Sequence, residues 1–109
     1  MPSNKAVASH ENDFLVFVLQ SLEGLSGLES RPMFGGQGLY SGGKFFGIVW
    51  HGRVFFRTNE HTAPQYVSAG SDYFQPSATQ TLKPFFEVPS AIVERPSELL
   101  RWAIQAASI

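Results

Sequence analysis

Four basic residues give this chain its clearest means of contacting a partner. Arg31, Lys44, Arg53 and Arg57 all lie in the aromatic-rich segment Arg31 to Glu60, RPMFGGQGLYSGGKFFGIVWHGRVFFRTNE. Arg53 and Arg57 share strand parity with Phe55 between them, so the three side chains project from one side of a strand. An arginine–aromatic–arginine array on a sheet face suits an anionic partner, either nucleic acid or the carboxylates of an acidic protein segment. A solvated face with cross-strand pairs has the same make-up, and that plainer reading is preferred.

Reactive constellations are sparser. His10, His51 and His61 are too scattered for a metal motif, and their positions suit a turn and a helix start. Glu60, Asp72 and Glu87 read as salt-bridge partners for the arginines before they read as a catalytic pair. With no cysteine and no nucleophile elbow, no catalytic residue, metal site or cofactor is expected. A small-ligand or enzymatic reading would need a cleft lined by Tyr40, Trp50, Tyr66 and Glu87.

Two motif likenesses fail on context. Gly35-Gly36-Gln37-Gly38 lacks the following Lys-Ser/Thr and helix of a phosphate loop and reads as a hairpin turn. Lys44 to Val49 has the aromatics of an RNA-recognition strand but not the required order of elements.

The elements that must position these residues follow from periodicity. Asn12 or Asp13 is expected to cap a first helix, with Phe14, Leu15, Val18, Leu19, Leu22 and Leu25 along one side. Strands are expected at about Arg31–Phe34, Gln37–Tyr40, Lys44–Trp50 and Arg53–Thr58. Gly35-Gly36, Gly42-Gly43 and His51-Gly52 supply the turns between them. Strict alternation puts Phe46, Ile48 and Trp50 on one face and Phe45 and Val49 on the other. Asn59 caps a short helix over about His61 to Ala69, ended by Gly70. A strand follows at Leu82 to Val88, with Pro84 marking an edge or a bulge. Pro96 opens a final helix packed through Leu99, Leu100, Trp102, Ala103 and Ile104.

The chain has 109 residues and a formal charge of −1, which fits one domain at residues 11–109 behind a flexible segment at 1–10. Near-neutral charge offers no general affinity for DNA phosphates. The longest apolar run, Phe14 to Leu19, is too short to span a membrane, no leader pattern stands at the N-terminus, and a cytoplasmic protein is expected. Ten phenylalanines, three tyrosines and two tryptophans exceed what a core this size needs, so some aromatics are left for a groove or an interface.

RPMFGG, GLY, FFGIV and GRVFFRTNE together resemble the TfoX N-terminal domain family. The likeness extends through Tyr66, LKPFFEVP and ERPSELLRWA, about residues 10–108. The residues that match the motif are Arg31, Met33, Phe34, Gly35, Gly36, Gly38, Leu39, Tyr40, Phe46, Gly47, Gly52, Phe56 and Arg57, most of which read as turn and core determinants. Asn59 departs from the family, where Asp is common.

The resemblance implies a two-layer α+β fold, one antiparallel meander sheet with flanking helices, similar to secretion chaperones. It also implies a non-enzymatic regulator of competence genes that works with the cAMP receptor protein. Full-length regulators carry a second, helical C-terminal domain, and this chain is expected to be a single-domain member without it. The expected function is therefore regulation through a protein partner in transcription control, with homodimerisation by the aromatic face as a further expectation. Direct nucleic-acid binding through Arg31, Lys44, Arg53, Phe55 and Arg57 is the alternative.

Overall fold

A computed structural model describes residues 2–109, with side chains described from Asn12 onward. In chain order the elements are α1 (Pro2–Ser21), β1 (Leu28–Met33), β2 (Gly36–Ser41), β3 (Lys44–Trp50), β4 (Arg53–Arg57), α2 (Ala63–Ser68), β5 (Tyr73–Ser77), β6 (Gln80–Glu87), α3 (Ser90–Val93) and α4 (Pro96–Ala107). The strands form one antiparallel sheet in the order β1-β2-β3-β4-β6-β5, which makes this an α+β fold. Among the described residues no helix is long and apolar enough to cross a membrane.

Asn12 and Asp13 lie inside α1 rather than at its cap. The expected flexible segment 1–10 concerns side chains outside the described residues. β1 begins at Leu28, earlier than expected, because Gly27 takes a positive φ of 62° and turns the chain directly into the strand. The first hairpin turn is Phe34-Gly35, not Gly35-Gly36. Both of its residues have positive φ, 55° and 80°. Gly36 is required for another reason: a Cβ there would lie 2.2 Å from the Val49 carbonyl oxygen.

The strand faces differ from simple alternation at one point. Leu39 pairs with Gly47 but Tyr40 pairs with Phe45, so Phe46 is an extra residue on β3. This bulge turns Phe46 to the helix side with Val49, and leaves Phe45, Ile48 and Trp50 together on the opposite side. Gly47 permits it: a Cβ there would come within 3.0 Å of the Phe56 ring.

Two cores result. On the helix side, Val18 of α1, Leu22 just beyond it, and Leu99, Ala103 and Ala106 of α4 bury Leu39, Phe46, Val49, Val54 and Phe56. Each fully buried phenylalanine stabilises this core by about 2–3 kcal/mol. The alanines of α4 let it approach β3 and β4 closely, whereas Ile104, expected among the packing residues, is 47% exposed on the outer side. On the other side Ile48, Phe55, Phe74 and Phe85 form a second, aromatic core with Phe45, Trp50 and Leu82. Among the described residues no helix side chain covers that side; Phe74 of β5 does so by reaching back to Phe55, Trp50 and Phe34.

Pairing of β5 with β6 jumps from Tyr73–Phe86 to Phe74–Leu82, so Pro84 lies in a bulge, as its lack of an N–H favours. Asn59 acts through its side-chain oxygen, which accepts from the His61 and Thr62 amides at 2.9 and 3.0 Å just ahead of α2. α3 has no counterpart among the expected elements.

Candidate functional site

The sheet side without helices carries most of the residues singled out by chemistry, and its two ends differ. At the end of the Gly42-Gly43 turn, Tyr40 of β2 stacks on Phe45 of β3 with centroids 5.3 Å apart, and Phe45 packs on Phe85 of β6 at 4.7 Å. The Arg31 guanidinium lies 4.6 Å above the Tyr40 ring, and Arg57 donates to the Phe45 carbonyl oxygen at 3.4 Å. Arg31 and Arg57, on strands separated by two others, thus flank one aromatic stack. Lys44, paired with Ser41 beside the same turn, places a third cation at this end.

Register explains the convergence. Arg31 opposes Gly38, whose missing side chain leaves room for Met33 and Phe45: a Cβ there would stand 3.0 Å from the Met33 methyl group and 3.3 Å from the Phe45 ring. The β3 bulge then rotates Phe45 toward Tyr40. Among the described residues Lys44 and Arg57 have no carboxylate in ion-pair range, while Arg31 shares Glu29 at 3.1 Å in an exposed pair of small energetic consequence.

At the opposite end the charges offset one another. Arg53 stands 3.9 Å from Glu87, and the Glu87 amide donates to the Asp72 carbonyl. Four residues of strand, about 13 Å, separate Arg53 from Arg57. They share a side, as parity requires, but not a site. Phe55 between them is only 4% exposed, buried under Phe74 and Trp50, so the expected binding face loses its central aromatic.

This geometry also disperses the cleft of the enzymatic reading. Tyr66 lies in the helix-side core, Tyr40 at one end of the other side, and Trp50 and Glu87 toward the far end. Burial raises the Tyr66 phenol well above the ordinary tyrosine range, and its hydroxyl has no hydrogen-bond partner among the described residues. That is core chemistry, since the ring packs between Trp102 and Phe86. His51 and His61 occupy exposed turns.

The motif residues sort into the same scheme. Leu39, Phe46 and Phe56 are core; Gly36, Gly38 and Gly47 mark close approaches; Phe34, Gly35 and Gly52 make turns; Met33 fills the space over Gly38. Arg31, Tyr40 and Arg57 are the ones at the surface rim. A model of the TfoX N-terminal domain matches residues 20–109. The chain belongs to the TfoX N-terminal domain family. Among curated proteins none matches it.

In this TfoX N-terminal domain, two surface features escaped sequence reasoning. One is the Tyr40–Phe45 stack, hidden by the bulge; the readable signal was Gly47 inside a strand. The other is a groove between α1 and β1, where Val16 is 48% exposed. From the sequence Val16 and Phe17 broaden the apolar stripe of α1 and point to a well-buried helix, and the exposure of Val16 corrects that reading.

Proposed function

We propose that this domain is a non-enzymatic, cytoplasmic interaction module of transcription control, and that it acts through a protein partner. The observation that carries this reading is the pair Arg31 and Arg57 flanking the Tyr40–Phe45 stack, with Lys44 beside the adjoining turn. Base stacking needs a free aromatic face, but Tyr40 is capped by Arg31 on one side and Phe45 is enclosed by Tyr40 and Phe85. What the rim offers instead is guanidinium and ammonium groups for carboxylates, a pairing that aligns protein partners. A chain with net charge −1 also gains little from phosphate neutralisation.

Family membership suggests the cAMP receptor protein as the partner to try. The test is co-purification of the two proteins, comparing the unaltered chain with Arg57→Glu. Retention that Arg57→Glu abolishes supports the reading. Retention that is unchanged by Arg57→Glu removes the rim from it.

A further inference from the structure

A different surface lies at the free edge of the sheet. Met33 and Gly36 close the first hairpin, so Met33, Arg31 and Glu29 exchange backbone hydrogen bonds with β2, while Pro32, Ser30 and Leu28 direct theirs outward. Pro32 has no N–H to offer, but Ser30 and Leu28 each present an N–H and a C=O along the edge. Beside this edge runs α1. Val16, Leu19 and Leu28 floor a groove of about 360 Å³ between helix and strand, with Glu23 and Glu29 on its rim. An edge strand with a helix alongside is the geometry in which extended peptides add a strand, with backbone bonds giving affinity and alternate side chains giving selectivity.

We propose that this groove binds an extended segment of another protein, with an apolar–basic–apolar pattern, as an added strand along Leu28–Ser30. Parity sets the pattern. Leu28 packs on the helix-side core, so residues opposite Leu28 and Ser30 point toward α1, where Val16 and Leu19 want apolar contact. The residue between them faces the other way, beside Glu29, in a non-hydrogen-bonded pair where side chains come closest. A lysine or arginine there exchanges for Arg31, which holds Glu29 only in a solvated pair.

A second copy of this chain fits poorly. Two antiparallel β1 strands centred on Ser30 would set the Pro32 ring against the Leu28 carbonyl. Moving the centre to Glu29 opposes two like charges. At the other edge Pro76 stands one residue before the pair Ser77–Gln80 that closes its hairpin, and irregular pairing interrupts that strand. Among the described residues, the β1 edge therefore combines outward donors with an apolar floor and the β5 edge does not. This inference does not rest on the rim's partner, although Arg31 and its pair with Glu29 belong to both surfaces.

The test is an amide NMR titration of the full chain with a synthetic Val-Lys-Val peptide flanked by glycines, and with its Val-Glu-Val counterpart. Shifts concentrated at Leu28–Ser30 and Val16–Glu23, with the lysine peptide binding tighter, are expected. Ser30→Pro removes an outward donor and should weaken binding about fivefold or more. Glu29→Lys should reverse the preference between the peptides; if Ser30→Pro fails to fold, this reversal decides the matter. No shifts at millimolar peptide, shifts elsewhere, or an unreversed preference overturn the proposal. So does self-association in sedimentation that Ser30→Pro abolishes, which would make a second copy the occupant.

Discussion

The Trp50 indole N–H donates to the Phe34 carbonyl oxygen at 2.9 Å, tying the end of β3 to the first hairpin turn. Phe34 holds a positive φ of 55°, a conformation unfavourable for a bulky residue. Its ring meets Phe74 edge-on at 5.6 Å, and Trp50 meets the same ring at 5.3 Å. The turn is thus held by contacts from β3 and β5 that the local sequence does not contain. Trp50→Phe keeps most of the aromatic packing and loses the hydrogen bond. It should cost about 1 kcal/mol in urea unfolding.

Gly36 and Gly35 are adjacent but should respond differently to alanine. At Gly36 a Cβ would strike backbone, the Val49 carbonyl, so strands β2 and β3 would have to separate. Gly36→Ala should cost more than about 3 kcal/mol. At Gly35 the space is open and only the φ of 80° opposes a side chain. Gly35→Ala should cost about 1–2 kcal/mol. Equal losses in the two variants would contradict the close approach.

Tyr66 carries a buried hydroxyl with no partner among the described residues. Tyr66→Phe removes a polar atom whose desolvation is uncompensated, and should leave the protein as stable or more stable by up to about 1–2 kcal/mol. There is also an alkaline signature. The folded-state phenol ionises well above its unfolded counterpart, so above about pH 10 the unfolded chain loses its proton first and stability falls as pH rises. Tyr66→Phe should flatten that part of the stability profile.

Glu98 accepts a 2.7 Å hydrogen bond from Arg101 one turn later on α4. That bond first, and the charges of Arg101 and Arg95 second, hold its carboxyl below the usual glutamate range. The contribution is present above the unfolded-state value and is lost as pH falls through the folded one. A carbon-detected NMR titration should place the Glu98 midpoint low and return it upward in Arg101→Ala.

Much of the fold was legible in local chemistry. The glycine-punctuated meander, the Gly70 stop and the Pro96 helix start all depend on residues acting within a few positions of themselves, whereas Asn59, expected as the cap of α2, makes a side-chain turn ahead of it and Thr62 stands at the cap. What local pattern could not carry was the bulge at Phe46. Its position depends on Gly47 admitting the Phe56 ring from the next strand. One inserted residue therefore sent Phe46 to the helix side and Phe45 to the arginines. The same limit explains the site. Parity correctly put Arg53 and Arg57 on one side, but Phe74, distant in sequence, buries Phe55 between them.

The central claim is that the arginine rim serves a protein partner rather than nucleic acid. The most direct measurement is fluorescence anisotropy of labelled duplex DNA titrated with this protein, at low and at physiological salt. The account predicts no binding by the protein alone even at low salt. Tight binding that weakens steeply with salt, and that Arg57→Glu abolishes, would contradict it and make the rim around Tyr40 and Phe45 a DNA site.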